Sequence, residues 1–295
     1  MRRRVSWVAV ALLGAVTFAC SGDDGGDDEV RRPPDEDTAV VDLLTSSHQA
    51  IGALGTERSV TGLDILGGGD VVATAVEDPT EARRQTDSAV ATLVAAVEDH
   101  EDEGAAYGPA LDALAGLGSV RGEVDARTEP RSLEQVPAAE AVAARYDEVA
   151  TALHEANAAL ADAVEEPGLR RGATLYATAV EQSDLWPRLT TTLMMSVLTG
   201  SGSLDEAEDV AEIAEMWGEA ETARSFVVEL AAGSEYEGPA RTLDADLGRS
   251  TYVDAVETAL RTGDVDLSAL TDGAQASADQ GWPAFLQQVE ESLAG

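Results

Sequence analysis

Lysine does not occur in this chain: all 19 basic residues are arginines, set against 56 acids for a formal net charge of −37. So acidic a surface repels nucleic acid and anionic lipid, and any small anion would need a locally positive pocket. Cysteine occurs once, at Cys20, which excludes an internal disulfide, a zinc–cysteine site and thiol catalysis within the fold. Aromatics make up only 4%, and no stretch alternates as a strand ladder would. The histidines, His48, His100 and His154, have no glutamate three residues before them, so the Glu-x-x-His signature of di-iron bundles is missing. No nucleophile-elbow motif is present either. The expectation is a non-enzyme with no cofactor and no metal site.

What is there begins with an export signal. Arg2, Arg3 and Arg4 precede an apolar run from Val5 to Ala19, too short to span as a mature helix. Thr17-Phe18-Ala19-Cys20 resembles the lipobox of bacterial lipoproteins, whose cysteine is acylated and becomes the mature N-terminus. Residues 1–19 therefore read as signal peptide, and 20–38 as a lipidated cysteine with a flexible acidic tether of Gly, Asp and Pro. Residues 39–293 read as the folded part, outside the cytoplasm and held to the outer face of the membrane by the anchor alone. Helices are expected at 39–66, 80–102, 105–128, 138–165, 169–199, 203–232, 239–262 and 266–293, between Gly- and Pro-rich breaks. The fold class is all-α, an elongated pair of antiparallel four-helix bundles.

Charge intrudes on the apolar seams. Leu44, Ile51, Leu54, Arg58, Thr61 and Ile65 follow steps of three, four and seven, and Arg58 interrupts them. Asp87 does the same in Arg83, Asp87, Val90, Val94, Val97, and Arg121 in Ala110, Leu114, Leu117, Arg121, Val124. At about 1.5 Å of rise per residue, antiparallel helices bring Arg58, Asp87 and Arg121 to one level, where Tyr146 also arrives. Such a layer is either an internally satisfied network or a site whose surplus guanidinium takes an oxyanion. His48 and Asn157 read as seam residues, Asn157 fixing register, and His100 reads as part of a solvated acidic helix end. Trp186, Trp217, Met194 and Met195 read as core.

The order of Glu57-Arg58-Ser59, Arg84-Gln85-Thr86-Asp87, Val120-Arg121-Gly122-Glu123-Val124-Asp125, Tyr146, Trp186-Pro187-Arg188, Trp217, Arg224-Ser225-Phe226 and Trp282 is similar to the nitrate- and nitrite-sensing domain of bacterial receptors. The likeness runs over residues 40–290. It implies paired four-helix bundles and an anion held by arginines from separate helices. Carried over by position, Arg58 and Arg188 are the ligand arginines, with Arg121, Arg84 and Arg224 as weaker candidates and Asp87 and Tyr146 as the supporting layer. Ser59 stands where the family usually has glycine, and Trp186-Pro187 where it is more polar. The family usually accompanies a kinase, cyclase, chemotaxis or RNA-binding output; none is evident here, so signalling or delivery would pass through an extracytoplasmic or membrane protein partner. The leading expectation is thus recognition of a small inorganic anion, nitrate or nitrite. A helical scaffold lipoprotein with a purely structural polar layer is the alternative, and a metal-carboxylate enzyme trails for want of ligands.

Overall fold

A computed structural model describes residues 36–66, 79–129, 132–199, 207–247, 250–266, 269–270 and 281–293. The export signal, Cys20, most of the tether, and the glycine-rich breaks at 67–69 and 200–202 lie outside these residues. Among the described residues the fold is all-α: α1 (Glu36–Ile65), α2 (Pro79–Asp99), α3 (Glu101–Gly104), α4 (Gly108–Ala115), α5 (Leu117–Asp125), α6 (Val136–Ala163), α7 (Pro167–Thr199), α8 (Ala207–Ala231), α9 (Glu237–Leu247), α10 (Thr251–Thr262) and α11 (Trp282–Leu293).

Helix α1 starts at Glu36, ahead of the expected 39, and is buried on nearly every side, because it packs against α2, α6, α7 and α11. A helix apolar or enclosed all round gives no single seam to read. Pairings fix directions. Asp42 meets His100 while Thr86 donates to the Ala53 carbonyl, so α1 and α2 are antiparallel. Tyr107 bridges Asn157 and the Leu43 carbonyl, while Glu57 meets Tyr146, so α6 also runs against α1. His48 meets Tyr176, which sets α7 alongside α1 in the same sense as the Arg188 end approaches Asp147.

The expected third helix, 105–128, is instead a 3₁₀ turn at Ala105–Tyr107 followed by α4 and α5, with the short α3 before it. The expected seventh is two, α9 and α10, because Ser250 caps α10 by accepting the Val253 N–H at 3.3 Å. At its far end Gly263 takes φ +76° and donates to the Ala259 carbonyl, a left-handed stop that glycine reaches without strain. Pro167 opens α7 rather than merely breaking the chain, and Glu166 accepts the Leu169 N–H beside it.

Helix α7 is shared by both halves of the molecule. It packs on α1 and α6, and also on α8 and α11. Gly172 permits that closeness: a Cβ there would lie 2.4 Å from Leu293 Cδ2 and 2.9 Å from the Tyr236 hydroxyl. Trp186 is buried between Trp217 and Tyr252, with ring centroids 5.9 and 5.1 Å away, so both tryptophans pack core. The helix continues across Pro187, which sits between this aromatic cluster and Arg188.

Candidate functional site

Two polar groups share the middle of α1. The first is built on Glu57, a fully buried carboxylate at the meeting of α1, α2, α5 and α6. Arg121 grips it bidentately, Nε to Oε1 and Nη2 to Oε2, both at 2.8 Å, and the Tyr146 hydroxyl donates to Oε1 at 2.8 Å. The third guanidinium nitrogen of Arg121 donates to Asp87 at 2.6 Å. Burial disfavours the Glu57 charge, yet hydrogen bonds from Arg121, Tyr146 and Thr86 and the Arg121 charge hold its carboxyl below the usual range. Arg83 closes the rim on Asp125 at 2.9 Å, its Nε standing 4.0 Å from Glu57 without a hydrogen bond. Every guanidinium nitrogen of Arg121 and both oxygens of Glu57 are engaged.

The sequence seam placed Arg58 in this layer; the structure does not. Asp87, Arg121 and Tyr146 do meet, but Glu57 supplies the buried charge, and Asp87 is largely exposed at the edge. The reason is helical geometry. Successive residues turn by about 100°, so Glu57 faces α2 and α5 while Arg58 turns toward α6 and α7. The signal that could have found Glu57 was its place in the Glu57-Arg58 pair, overlooked because only one of the two fits a single seam.

The second group is built on Arg58, 6% exposed, at the junction of α1, α6 and α7. Its Nη1 donates to Asp147 Oδ1, and Arg188 Nε approaches the same oxygen at 3.5 Å. Asp184 of α7 is buried beside His154 of α6, Oδ2 and Nε2 3.6 Å apart. Burial raises its affinity for a proton, but the adjacent His154 imidazole and the charges of Arg58 and Arg188 win and hold the carboxyl low. His48 lies near: its Nδ1 is 3.1 Å from the Tyr176 hydroxyl, and burial followed by the His154 charge lowers its pKa to about 4.

This group is not saturated. Arg58 Nη2 and His154 Nδ1 are buried with no hydrogen-bond partner among the described residues, and Asp184 Oδ2 and His154 Nε2 face each other at 3.6 Å, too far for a hydrogen bond. Buried polar atoms of native folds are ordinarily paired, so a cluster of unpaired ones marks a place for something else. Two open clefts lie elsewhere, about 300 Å³ beside Asp42, Ser46 and His100 and about 470 Å³ beside Val120, Arg127 and Arg145.

The remaining sequence candidates separate from both groups. Arg84 is exposed and pairs with Glu81 in its own helix. Arg224 forms ion pairs with Glu221 and with Asp244 of α9, its Nε and Nη1 and Glu221 Oε1 being buried without hydrogen bonds, on helices that contribute nothing to the Arg58 group. Arg121 is committed to Glu57 and Asp87. His100 is buried against Asp42 at 3.1 Å rather than solvated, because it closes the α2 end over α1. Asn157 accepts from Tyr107 at 2.6 Å, which ties α6 to the 3₁₀ turn. No group of His, Cys, Asp and Glu among the described residues has the arrangement of a metal site.

Comparisons with known proteins follow the same outline. A family profile described as "Nitrate and nitrite sensing" matches residues 49–294. No curated protein matches the sequence at a comparable level. A solved structure described as that of the NasR transcription antiterminator is similar, with a TM-score of 0.67 and 12% identity over 88% of this chain and 71% of that one. At that identity the likeness speaks for the fold.

Proposed function

The chain belongs to the nitrate and nitrite sensing family, and from that premise we propose that it binds a small oxyanion between Arg58 and Arg188. The single observation behind this reading is that two arginines from different helices converge on one carboxylate oxygen while Arg58 Nη2 stays buried and unpaired. A guanidinium fork offers paired donors to a planar oxyanion, and burial strengthens each of them. Nitrate and nitrite fit that description, and the acidic remainder of the surface keeps larger polyanions away. In this reading the protein is exported, anchored through acylated Cys20, and signals or delivers through a partner protein outside the cytoplasm. No helix among the described residues is long and apolar enough to cross a membrane, in keeping with a lipid anchor as the attachment.

Thermal unfolding tests the ligand. Nitrate or nitrite at about a hundred times its dissociation constant should raise Tm by roughly 5 °C over chloride at matched ionic strength. Arg58→Ala and Arg188→Ala should abolish that rise; no ion-specific shift in the wild type would sink the reading. The scaffold alternative draws on the saturated Glu57 layer and predicts the same Tm in every monovalent salt. Cys20→Ser should release the protein from membranes, and continued retention would count against the anchor.

A further inference from the structure

Glu57-Arg58 on α1 and Tyr146-Asp147 on α6 are two neighbouring pairs that bond to each other crosswise in register. The Tyr146 hydroxyl donates to Glu57 at 2.8 Å, and Arg58 donates to Asp147. The two helices are therefore clasped at two adjacent points, one fully buried and one at the edge of solvent. Asp147 is the outer member: its side chain is 26% exposed, whereas Arg58 beneath it is 6% exposed. Arg188 converges on the same Asp147 oxygen from α7.

We infer that Asp147 is a built-in competitor for the oxyanion, and that an anion enters by displacing its carboxylate from Arg58 and Arg188, opening the outer half of the clasp. This rests on the anion reading above. Three observations support it. A carboxylate presents two oxygens on a planar, delocalised head, the same shape a guanidinium fork reads in nitrite or nitrate. Counting the arginines and aspartates, the charges balance with Asp147 in place, two guanidiniums facing Asp147 and Asp184; with Asp147 turned to solvent one positive charge of that set is left over, the complement of one monovalent anion. Arg58 is almost wholly covered, so entry requires a side chain to move; Asp147, 26% exposed, and Arg188, 31% exposed, are the members that reach solvent, and of the two it is Asp147 that occupies the Arg58 fork.

Tyr146 and Glu57 form the fixed half. Because Arg121 holds Glu57 from the far side, the inner bond keeps α1 and α6 in register while the outer one opens. Exchange of Asp147 for an anion thus alters how α6 meets α7 without unfolding the bundle, which is a change a partner protein could read. Asp147 sets affinity through the fraction of molecules in which the two arginines are unoccupied.

The experiment is calorimetric titration of nitrate, nitrite and formate into the full chain at constant ionic strength, with wild type, Asp147→Asn and Asp147→Ala, each checked for folding by circular dichroism. Removing the competitor should tighten nitrate binding about tenfold. Formate, a free carboxylate, should bind Asp147→Ala and raise its Tm, but not wild type, and adding Arg58→Ala should remove both effects. If wild type binds nitrate and Asp147→Asn binds it no more tightly, the competitor idea fails and the anion reading stands. If the Asp147 variants take formate, nitrate and nitrite without preference while wild type takes none, the competitor stands and nitrate sensing fails. If neither Asp147 variant binds any of the three anions, both fail.

Discussion

Glu57 and Arg58 are neighbours on one helix, yet they stand in opposite kinds of surroundings. Around Glu57 the carboxylate oxygens and all three Arg121 nitrogens have partners. Around Arg58, Arg58 Nη2 and His154 Nδ1 have no hydrogen-bond partner among the described residues, and Asp184 Oδ2 meets His154 Nε2 only at 3.6 Å. Burial and charge alone do not separate a structural network from a binding site, since both groups are buried and both contain arginine. Saturation of the central ion separates them: Glu57 and Arg121 are fully engaged, Arg83 Nε at the rim being left without a hydrogen bond, whereas Arg58 itself keeps a spare donor. A carboxylate closed on all sides has no capacity left for a ligand, whereas an arginine with a spare buried donor still carries a desolvation cost that a ligand can offset.

The largest expected effect breaks the saturated side. Arg121→Ala should destabilise by about 3–5 kcal/mol in every salt, because it strands the Glu57 charge in the interior; chemical denaturation reads this, and a loss confined to nitrate-free buffer would refute it. Arg58→Ala should cost less, about 2 kcal/mol, since Asp147 can turn to solvent, and it should also erase any nitrate response.

Acid should separate the groups as well. His48 binds its proton far less readily folded, at about 4, than unfolded, at 6.5, so its contribution is whole above pH 6.5 and is lost as the pH falls toward 4. Because His48 retains some exposed surface, roughly 2 kcal/mol is expected rather than the full shift. Glu57, held below 4.5, keeps its contribution until the pH drops under that value. Denaturation from pH 7 to 4 in wild type and His48→Gln measures the difference; equal slopes would refute it. The smallest effect belongs to the exposed rim, where Asp87→Asn should change stability by less than about 1 kcal/mol.

How much of this the sequence disclosed differs between the same two groups. The all-α class was plain from helical periodicity and the absence of strand patterns, and the meeting of Asp87, Arg121 and Tyr146 followed from rise per residue alone. Glu57 was not legible, because α1 is enclosed on most sides and no unique seam exists to choose between adjacent residues. The convergence of Arg58 with Arg188 came only through family resemblance. Asp147 and Asp184 carried no signal at all: an aspartate on a helix of so acidic a chain looks like one more solvated charge until the packing of α6 on α7 is known. The break between α9 and α10 depends on the Ser250 cap, which hydrophobic spacing does not encode.

The comparison reduces to one pair of titrations. Nitrate titrated calorimetrically into Arg188→Gln and into Asp87→Asn asks which polar group holds the ligand. The account predicts no measurable heat for Arg188→Gln and a dissociation constant within about twofold of wild type for Asp87→Asn. Retained binding in Arg188→Gln, with loss in Asp87→Asn, would place the ligand in the Glu57 layer and contradict it.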